Sequence, residues 1–274
     1  MRNTFKFKDK SFAVYGLGIT GKSVLKFLKK NKVNKILDWD DRLFKNNEKF
    51  KRFKVNLNIV DYIIVSPGIN IKKSRFNKLL FKNKKKIITD LDLFFLKNDV
   101  KKSIIITGTN GKSTTCSLIH HILKNNKIKT KLAGNIGKPI LDLKFVKNEI
   151  YVIEASSFQL EYSKFLKPYC AAILNISKDH LDWHGSKRKY IMSKIKIFNN
   201  QTKKDIAFLS DKRLEKIYNK KRFLGKLRII RKNPINVKNI QNRYLQLDTN
   251  FNNIKFAFFI SKLFGIKKKF FLSS

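Results

Sequence analysis

The strongest constraint on the fold is a short loop that is rich in glycine and hydroxyl side chains. Residues 107–115 read TGTNGKSTT, between the apolar run 104–106 and the amphipathic segment 116–123. A strand, a glycine loop and a helix in this order direct backbone N–H groups and a helix N-terminus toward phosphate. The pattern therefore predicts a nucleoside triphosphate site, in which Lys112 neutralises the β- and γ-phosphates.

The spacing of this loop departs from the common pattern G-x-x-x-x-G-K-[ST]. That pattern needs glycine at position 106, where this chain has isoleucine, whereas Gly108 gives the shorter G-x-x-G-K-S. The position between a strand and a helix favours a phosphate site over a chance match. The hydroxyl group of Ser113 or Thr114 would then bind the Mg²⁺ that accompanies the triphosphate.

Length and composition set the class of protein. A chain of 274 residues suffices for about two domains. Its apolar fraction of 42%, with 24 Phe and 8 Tyr, is typical of a folded chain rather than a disordered one. Cys116 and Cys170 alone suggest no disulfide framework, and no stretch approaches the roughly 18 apolar residues of a membrane span. We therefore expect a cytoplasmic protein with no membrane partner.

The formal net charge of +43 would ordinarily point to nucleic acid or an anionic membrane. Here the lysines are spread from end to end, and Lys, Asn, Ile and Phe are enriched together. These four residue types share A/T-rich codons, so one mutational bias explains all of them. We expect no nucleic-acid partner, although the charge would help to attract anionic substrates at low salt.

Strand and helix patterns alternate in the first part of the chain. A strand at 12–15 precedes GLGITG at 16–21 and a helix to about Lys30, and a strand at 35–37 leads into three aspartates. G-x-G-x-x-G followed by an acidic residue about twenty positions later is the dinucleotide fingerprint, which indicates a phosphate-bearing ligand. Further predicted elements are a strand at Tyr62–Val65, a helix at 76–81 and a strand at 86–89.

A second α/β segment begins near Asp90. Its predicted strands are Ser103–Thr107, Ile150–Glu154, 171–175 and Ile206–Leu209, and its predicted helices are 114–124, 190–198 and 254–263. Alternation at this spacing predicts an α/β fold with parallel, doubly wound sheets. For residues 211–250 the sequence gives no secondary-structure prediction.

Two strand ends carry candidate chemistry. Glu154 follows a buried strand, and ligands gather at the carboxyl ends of parallel strands, so we expect its carboxylate near the phosphate loop and Mg²⁺. Residues 175–185 read NISKDHLDWHG, in which His180 could bind a divalent metal. The alternatives are a surface turn at Glu154 and solvated loop side chains at 175–185.

Three segments together resemble the ATP-dependent Mur ligases of peptidoglycan synthesis in order and spacing. They are the phosphate loop at 107–115, EASSFQLE at 154–161 and the histidine segment at 175–185. SSFQLE at 156–161 is most similar to the branch of the family that adds D-glutamate. The motifs GLGITG at 16–21, SPGI at 66–69 and GNIG at 134–137 agree with that branch.

The resemblance implies a Rossmann-like UDP-binding domain at 1–89 and a P-loop-type ATP-binding domain at 90–274. In this family the first domain holds the UDP part of the substrate, so the fingerprint loop would serve UDP rather than NAD. The substrate-binding residues that the resemblance implies are Ile19, Thr20, Asp38, Ser66, Pro67, Gly68, Asn135, Ser156, Ser157 and His180.

The resemblance also implies where ATP and Mg²⁺ bind. ATP would be held by Gly108, Thr109, Asn110, Gly111, Lys112, Ser113 and Thr114, with Asn250 and Asn253 on the adenine side. Glu154 would bind one metal and His180 a second, and Ser113 and Lys194 complete the metal site. Lys194 matches a lysine that the family carbamylates, whereas the residues alone suggest a solvated helix position. The implied catalytic residues are Lys112, Glu154, His180 and Lys194.

The expected reaction is the ATP-dependent addition of D-glutamate to UDP-N-acetylmuramoyl-L-alanine. The alanyl carboxylate attacks the γ-phosphate to give an acyl phosphate and ADP, and the amine of glutamate then displaces phosphate. Because two anions must approach each other, Lys112 and two Mg²⁺ ions would lower the repulsion between them.

Members of this family carry a third, C-terminal domain, and we expect that domain to be absent from this chain. Two alternatives follow. The chain could be another Mur or folylpolyglutamate-type ligase, or a non-catalytic remnant that still binds UDP-sugar or ATP. The sequence leaves the oligomeric state open.

Overall fold

The computed structural model describes residues 5–273, which divide into two compact units. The first unit comprises the chain up to Asp99 together with the short segments Pro139–Phe145 and Tyr162–Phe165. The second unit comprises Val100–Lys138, Val146–Glu161 and Leu166–Ser274. Each unit has a parallel sheet of its own.

The first unit is built on four parallel strands in the order β2-β1-β3-β4. Phe12, Ala13, Val14 and Tyr15 of the first strand are all buried, as expected for a parallel sheet covered on both faces. The strands are β1 (Ser11–Tyr15), β2 (Lys35–Trp39), β3 (Tyr62–Val65) and β4 (Ile87–Ile88), and the helices are α1 (Ile19–Lys30), α2 (Asn47–Asn56), α3 (Asn77–Lys82) and α4 (Asp90–Lys97).

A buried carboxylate fixes a later piece of chain to the first unit. Asp92 accepts hydrogen bonds from the backbone N–H groups of Lys164 (2.9 Å) and Phe165 (2.7 Å). It also accepts the N–H of Thr89 (2.9 Å), which completes the capping box that starts α4. Burial raises the pKa of Asp92 to about 6, although these donors oppose the shift.

The second unit is a six-stranded parallel sheet in the order β10-β9-β8-β5-β7-β6. Its strands are β5 (Ser103–Thr107), β6 (Thr130–Gly134), β7 (Ile150–Glu154), β8 (Cys170–Ile173), β9 (Ile206–Leu209) and β10 (Lys226–Ile229). The helices are α5 (Lys112–Asn125), α6 (Ser157–Tyr162), α7 (Leu181–His184), α8 (Lys187–Ile195), α9 (Lys212–Lys220), α10 (Arg243–Gln246), α11 (Phe251–Lys262) and α12 (Lys268–Leu272).

Helices α5 and α11 pack against each other and against the central strands. Cys116 of α5 and Cys170 of β8 lie in this core and are fully buried. Burial raises the pKa of both thiols above the usual range.

The predicted α/β architecture with parallel sheets is confirmed, and the differences are local. Helix α5 begins at Lys112, two residues earlier than predicted, because Gly111 with φ +78° supplies the turn before it. The unassigned stretch 211–250 contains α9, β10 and α10, and β10 pairs with β9. Among residues 5–273, no helix combines the length and the apolar character needed to cross a bilayer.

Candidate active site

The phosphate loop lies between the central strand β5 and the start of α5. Gly111 adopts the left-handed conformation before the helix, and a Cβ atom there would lie 2.0 Å from Oδ1 of Asn253. No side chain caps the first turn of α5. The N–H groups of that turn therefore have no partner within the helix, and together with the helix dipole they form an anion-binding position.

The first half of the loop is held by the segment that follows β8. Oδ1 of Asn175 accepts the N–H groups of Thr109 (3.1 Å) and Asn110 (2.9 Å), and its Nδ2 donates to the carbonyl of Asn110 (3.0 Å). The hydroxyl of Thr109 accepts the N–H of Ser177 (3.1 Å) and lies 3.0 Å from the hydroxyl of Tyr190. These contacts give the loop a defined shape without a ligand.

A buried carboxylate stands beside the helix start. Glu154, at the end of β7, is only 1% exposed. Its Oε2 accepts the hydroxyl of Ser113 (2.7 Å) and its Oε1 accepts Nδ2 of Asn135 (2.9 Å). Nζ of Lys112 donates to the carbonyl of Thr109 (2.8 Å). The interpretation of Glu154 as a surface turn is therefore wrong, and the oxygen atoms of Ser113 and Glu154 are ligands of the kind that Mg²⁺ prefers.

Lys194 lies underneath the same loop and is only 2% exposed. Its Nζ donates to the carbonyl of Gly108 (2.8 Å) and to the hydroxyl of Thr107 (3.3 Å). Burial, and then the positive charge of Lys112, lower the pKa of Lys194 to about 7. The interpretation of Lys194 as a solvated helix residue is therefore wrong, because the amine is buried and substantially neutral at physiological pH.

His180 lies directly before the short helix α7. It has φ +49°, its side chain is 46% exposed, and its Nε2 lies 3.3 Å from Oδ2 of Asp179. The ring packs beside that of Phe158, with the centroids 4.8 Å apart. In the described part of the chain, no three His, Cys, Asp or Glu side chains come together in a metal-binding group.

The two serines after Glu154 face inward. Ser157 is buried, and its hydroxyl lies 3.0 Å from Nε2 of His184, a buried residue to which the sequence analysis gave no role. The hydroxyl of Ser156 bonds the side chain of Gln159 at 3.2 Å. Both hydroxyl groups therefore hold the turn that follows β7.

Asn250 and Asn253 are buried and join three helices. Asn253 accepts the hydroxyl of Thr115 (3.2 Å) and donates to Oδ1 of Asn250 (2.9 Å), whose Nδ2 donates to the carbonyl of Tyr244 (2.8 Å). A cavity of about 740 Å³ begins beside the start of α5. Its walls include Ser113, Thr114, Ser117, Leu118, His121, Tyr244, Leu245, Ile254 and Phe271.

The fingerprint loop of the first unit is held by close backbone packing. Gly16 has φ +92°, and a Cβ atom on Gly21 would lie 1.9 Å from the carbonyl oxygen of Gly16. The hydroxyl of Ser66 donates to that same carbonyl (2.7 Å). Asp40 accepts the N–H of Leu17 at 2.6 Å. The glycines of the pattern therefore permit the strand–helix contact that the fingerprint requires.

The acidic residue that touches this loop is Asp40 rather than Asp38. Partial burial acts to raise the pKa of Asp40, but hydrogen bonds from three backbone N–H groups outweigh it and the pKa is lowered. Asp38 instead pairs with Lys49 at 2.7 Å. The remaining predicted residues of this unit lie at the same end of the sheet: Ile19 and Gly68 are exposed, and Thr20, Ser66 and Pro67 are half-buried.

The sequence of the second unit matches a known family. Residues 106–268 match the model of the Mur ligase middle domain. The chain belongs to the Mur ligase family. The match begins within β5 and ends at the start of α12, and thus includes both the phosphate loop and the histidine segment.

Curated relatives support this membership. The chain is 40% identical over 204 residues to the UDP-N-acetylmuramoylalanine--D-glutamate ligase of Wolbachia pipientis wMel, an alignment that covers 71% of this chain and 40% of the relative. It is 42% identical over 214 residues to the protein of the same name from Rickettsia prowazekii (strain Madrid E), with coverages of 74% and 47%. The chain thus spans less than half the length of these two relatives.

Solved structures of the Mur ligase family share the fold. The UDP-N-acetylmuramate:L-alanyl-gamma-D-glutamyl-meso-diaminopimelate ligase from Neisseria meningitides superposes with a TM-score of 0.59 at 12% identity, covering 96% of both chains. MurF ligase from Thermotoga maritima in complex with ADP gives a TM-score of 0.52 at 17% identity, covering 98% of this chain and 67% of that one. At these identities the likeness concerns the fold alone.

Proposed function

We propose that this chain carries the ATP-binding and UDP-substrate-binding units of a ligase that adds D-glutamate to UDP-N-acetylmuramoyl-L-alanine in peptidoglycan precursor synthesis. The observation that carries the proposal is the contact between Ser113 at the start of α5 and the buried carboxylate of Glu154. The shared name of the curated relatives supports the choice of substrates. A cytoplasmic location follows from the proposal, because nucleotide-linked precursors and ATP are cytoplasmic substrates.

The residues present fit ATP with Mg²⁺. The N–H groups of the first turn of α5 and the ammonium of Lys112 would hold the phosphates. The hydroxyl of Ser113 and the carboxylate of Glu154 would hold the metal, since both are oxygen ligands. The 740 Å³ cavity beside Thr114 has the size and the largely apolar walls of a nucleoside site. Bound ATP would supply the phosphoryl group that activates the acceptor carboxylate.

The chain's own residues would reduce the repulsion between that carboxylate and the triphosphate. Lys112 stands at the loop as a cation, and Asn135 and Ser113 hold the carboxylate of Glu154 in one orientation. His180 is exposed and available to a ligand from solvent.

Lys194 has the chemistry that carbamylation requires. Only a neutral amine attacks carbon dioxide, and a pKa of about 7 keeps much of the Lys194 amine neutral at physiological pH. The carbamate would place a negative charge under the loop, next to the cation of Lys112. That charge would suit a second metal ion in a phosphate-rich site.

The first unit would bind the UDP part of the acceptor at the fingerprint loop. Ile19 and Thr20 begin α1, where a glycine precedes the helix and no side chain caps it. Ser66, Pro67 and Gly68 follow β3 at the same end of the sheet. Asp38 would need to exchange Lys49 for a substrate hydroxyl.

The test combines nucleotide binding with phosphate release. The purified chain is titrated with ATP and Mg²⁺, and phosphate release is then followed with UDP-N-acetylmuramoyl-L-alanine and D-glutamate, each omitted in turn. Lys112→Ala should weaken ATP binding by about 10- to 100-fold, since hydrogen bonds to charged groups contribute about 1.5–3 kcal/mol. Lys124→Ala removes the same charge from the last turn of the same helix and should bind normally.

Each outcome has a defined meaning. Release that needs every component supports the ligase. Binding of ATP and of the UDP-linked acceptor without release supports the binding units only. A folded wild-type chain that binds neither ligand contradicts the proposal.

A further inference from the structure

The phosphate loop is divided into two halves that differ in their hydrogen bonding. In the first half, the N–H groups of Thr109 and Asn110 point to Oδ1 of Asn175 rather than into the ligand space. In the second half, the N–H groups of Lys112 and Ser113 belong to the uncapped first turn of α5. The N–H groups of the first half thus have an acceptor within the protein, whereas those of the second half are left to bind an anion.

The contact between the loop and the end of β8 is close as well as polar. The backbone N–H of Thr109 also approaches the carbonyl of Asn175 (3.0 Å). A Cβ atom on the buried Gly108 would lie 3.1 Å from Cβ of Leu174 and 3.5 Å from N of Asn175. The loop therefore lies directly on the strand end, where both the backbone carbonyl and the side-chain amide of Asn175 hold it.

We infer that Asn175 is a positioning residue for phosphate binding: by occupying the N–H groups of Thr109 and Asn110, its amide fixes the loop so that the first turn of α5 faces the phosphates. This inference rests on the proposed ATP site and assigns a function to a residue that does not touch the ligand. The physical reason is preorganisation, because a loop that is already ordered spares the ligand the free energy of ordering it.

Thr109 and Tyr190 extend this arrangement to α8. The Thr109 hydroxyl lies 3.0 Å from the Tyr190 hydroxyl, and the ring of Tyr190 stands 4.7 Å from Nζ of Lys194. The loop is thus fixed from two elements, the end of β8 and the first turn of α8. Loss of the Tyr190 hydroxyl should have a smaller effect than loss of the Asn175 amide, since it removes one hydrogen bond instead of three.

The experiment separates loop positioning from general stability. A fluorescent ATP analogue bound to the whole chain at 0.3 M KCl is displaced by ATP or by inorganic tripolyphosphate. The variants are Asn175→Ala, Asn175→Asp, which keeps the acceptor atom but loses the donor, and Tyr190→Phe. The matched control is Asn252→Ala, because Nδ2 of Asn252 donates to the neighbouring carbonyl of Leu174 (2.9 Å), an acceptor outside the loop.

Asn175→Ala should bind ATP at least 10-fold more weakly, with an equal loss for tripolyphosphate. Asn175→Asp and Tyr190→Phe, which each remove one hydrogen bond, should lose about 3-fold. Equality of the two losses is the decisive readout, because it assigns the whole effect to the phosphate half of the ligand. ATP affinity in Asn175→Ala equal to that of Asn252→Ala overturns the inference. A wild-type chain that binds neither ligand overturns the proposed ATP site and the inference with it.

Discussion

The two glycine loops occupy corresponding positions in their units, each between a strand and a helix, but different contacts hold them in place. Each follows a strand of a parallel sheet and begins a helix whose N-cap is glycine, Gly18 in the first unit and Gly111 in the second. In the first loop a backbone carbonyl lies where the Cβ atom of residue 21 would be, whereas in the second loop a side chain, that of Asn253, lies against Gly111. The first loop is thus shaped mainly by backbone packing, and the second by side chains from distant elements.

The two loops also differ in the charges around them. The fingerprint loop has one carboxylate, that of Asp40, which is engaged by backbone N–H groups. The phosphate loop has two buried ionisable side chains, those of Glu154 and Lys194, within its hydrogen-bonding network. Buried charges are costly unless they are paired or hydrogen-bonded, so their presence marks the second loop as the place where chemistry is expected.

The largest expected effect comes from Gly21→Ala in the first loop. The new Cβ atom would lie 1.9 Å from the carbonyl oxygen of Gly16, and a backbone atom cannot rotate away. We expect a loss of about 3 kcal/mol or more in the free energy of unfolding, measured by urea denaturation and circular dichroism. Gly18→Ala is the control, because nothing lies within 4 Å of its Cβ position, and it should lose less than about 1 kcal/mol. Equal losses in the two variants would contradict the packing argument.

Gly111→Ala tests the corresponding position in the second loop. Its φ of +78° costs a residue with a Cβ atom about 1–2 kcal/mol, and the clash with Asn253 adds to this. We expect a total loss of about 2–3 kcal/mol, measured by the same denaturation. In an Asn253→Ala background the same substitution should cost only the about 1–2 kcal/mol of the positive φ, because the clashing atoms are gone. An unchanged cost in that background would show that the side chain of Asn253 does not constrain Gly111.

Lys194 makes the stability of the second unit depend on pH above about 7. The unfolded chain keeps the Lys194 proton up to the ordinary lysine pKa near 10.5, whereas the folded chain releases it near pH 7. Between these values the unfolded state binds more protons, so stability rises with pH. We expect the free energy of unfolding of the wild type, relative to Lys194→Met, to increase by about 2 kcal/mol from pH 7 to pH 9. Parallel curves for the two proteins would contradict the lowered pKa.

The smallest expected effect is that of Lys49→Gln beside the first loop. The pair between Lys49 and Asp38 is short, at 2.7 Å, but about a third exposed on both sides. Exposed pairs contribute little because water and salt screen them, so we expect a change of about 0.5 kcal/mol or less. A double-mutant cycle with Asp38→Asn measures the pair alone. A coupling above about 1 kcal/mol would contradict the expectation that solvent screens this pair.

The features that could be predicted from the sequence are those determined by residues close together in the chain. The α/β class, the strands at Tyr62–Val65 and Ser103–Thr107 and the place of both loops were predictable, because apolar runs and glycines adjacent in sequence determine them. The position of Glu154 near Ser113 was also expected, since parallel strands bring their carboxyl ends to one edge.

The contacts that could not be predicted from the sequence pattern depend on strand order and helix packing. Asn175 reaches the phosphate loop because β8 lies directly beside β5, although β6 and β7 come between them in the chain. Lys194 is buried because α8 packs under the loop, a tertiary contact that the polar sequence of the helix conceals. An asparagine at the carboxyl end of a predicted parallel strand is the signal that could have indicated the contact of Asn175 with the loop.

The two buried thiols are natural probes for the opening of the second unit. Cys116 and Cys170 are the only cysteines of the sequence, both lie in its core, and neither is accessible or readily ionised in the folded state. A thiol reagent therefore reacts only when this core opens, and the rate of labelling measures that opening. The first unit contains no cysteine and does not react with the same reagent, so a single alkylation experiment can follow the opening of the second unit by itself.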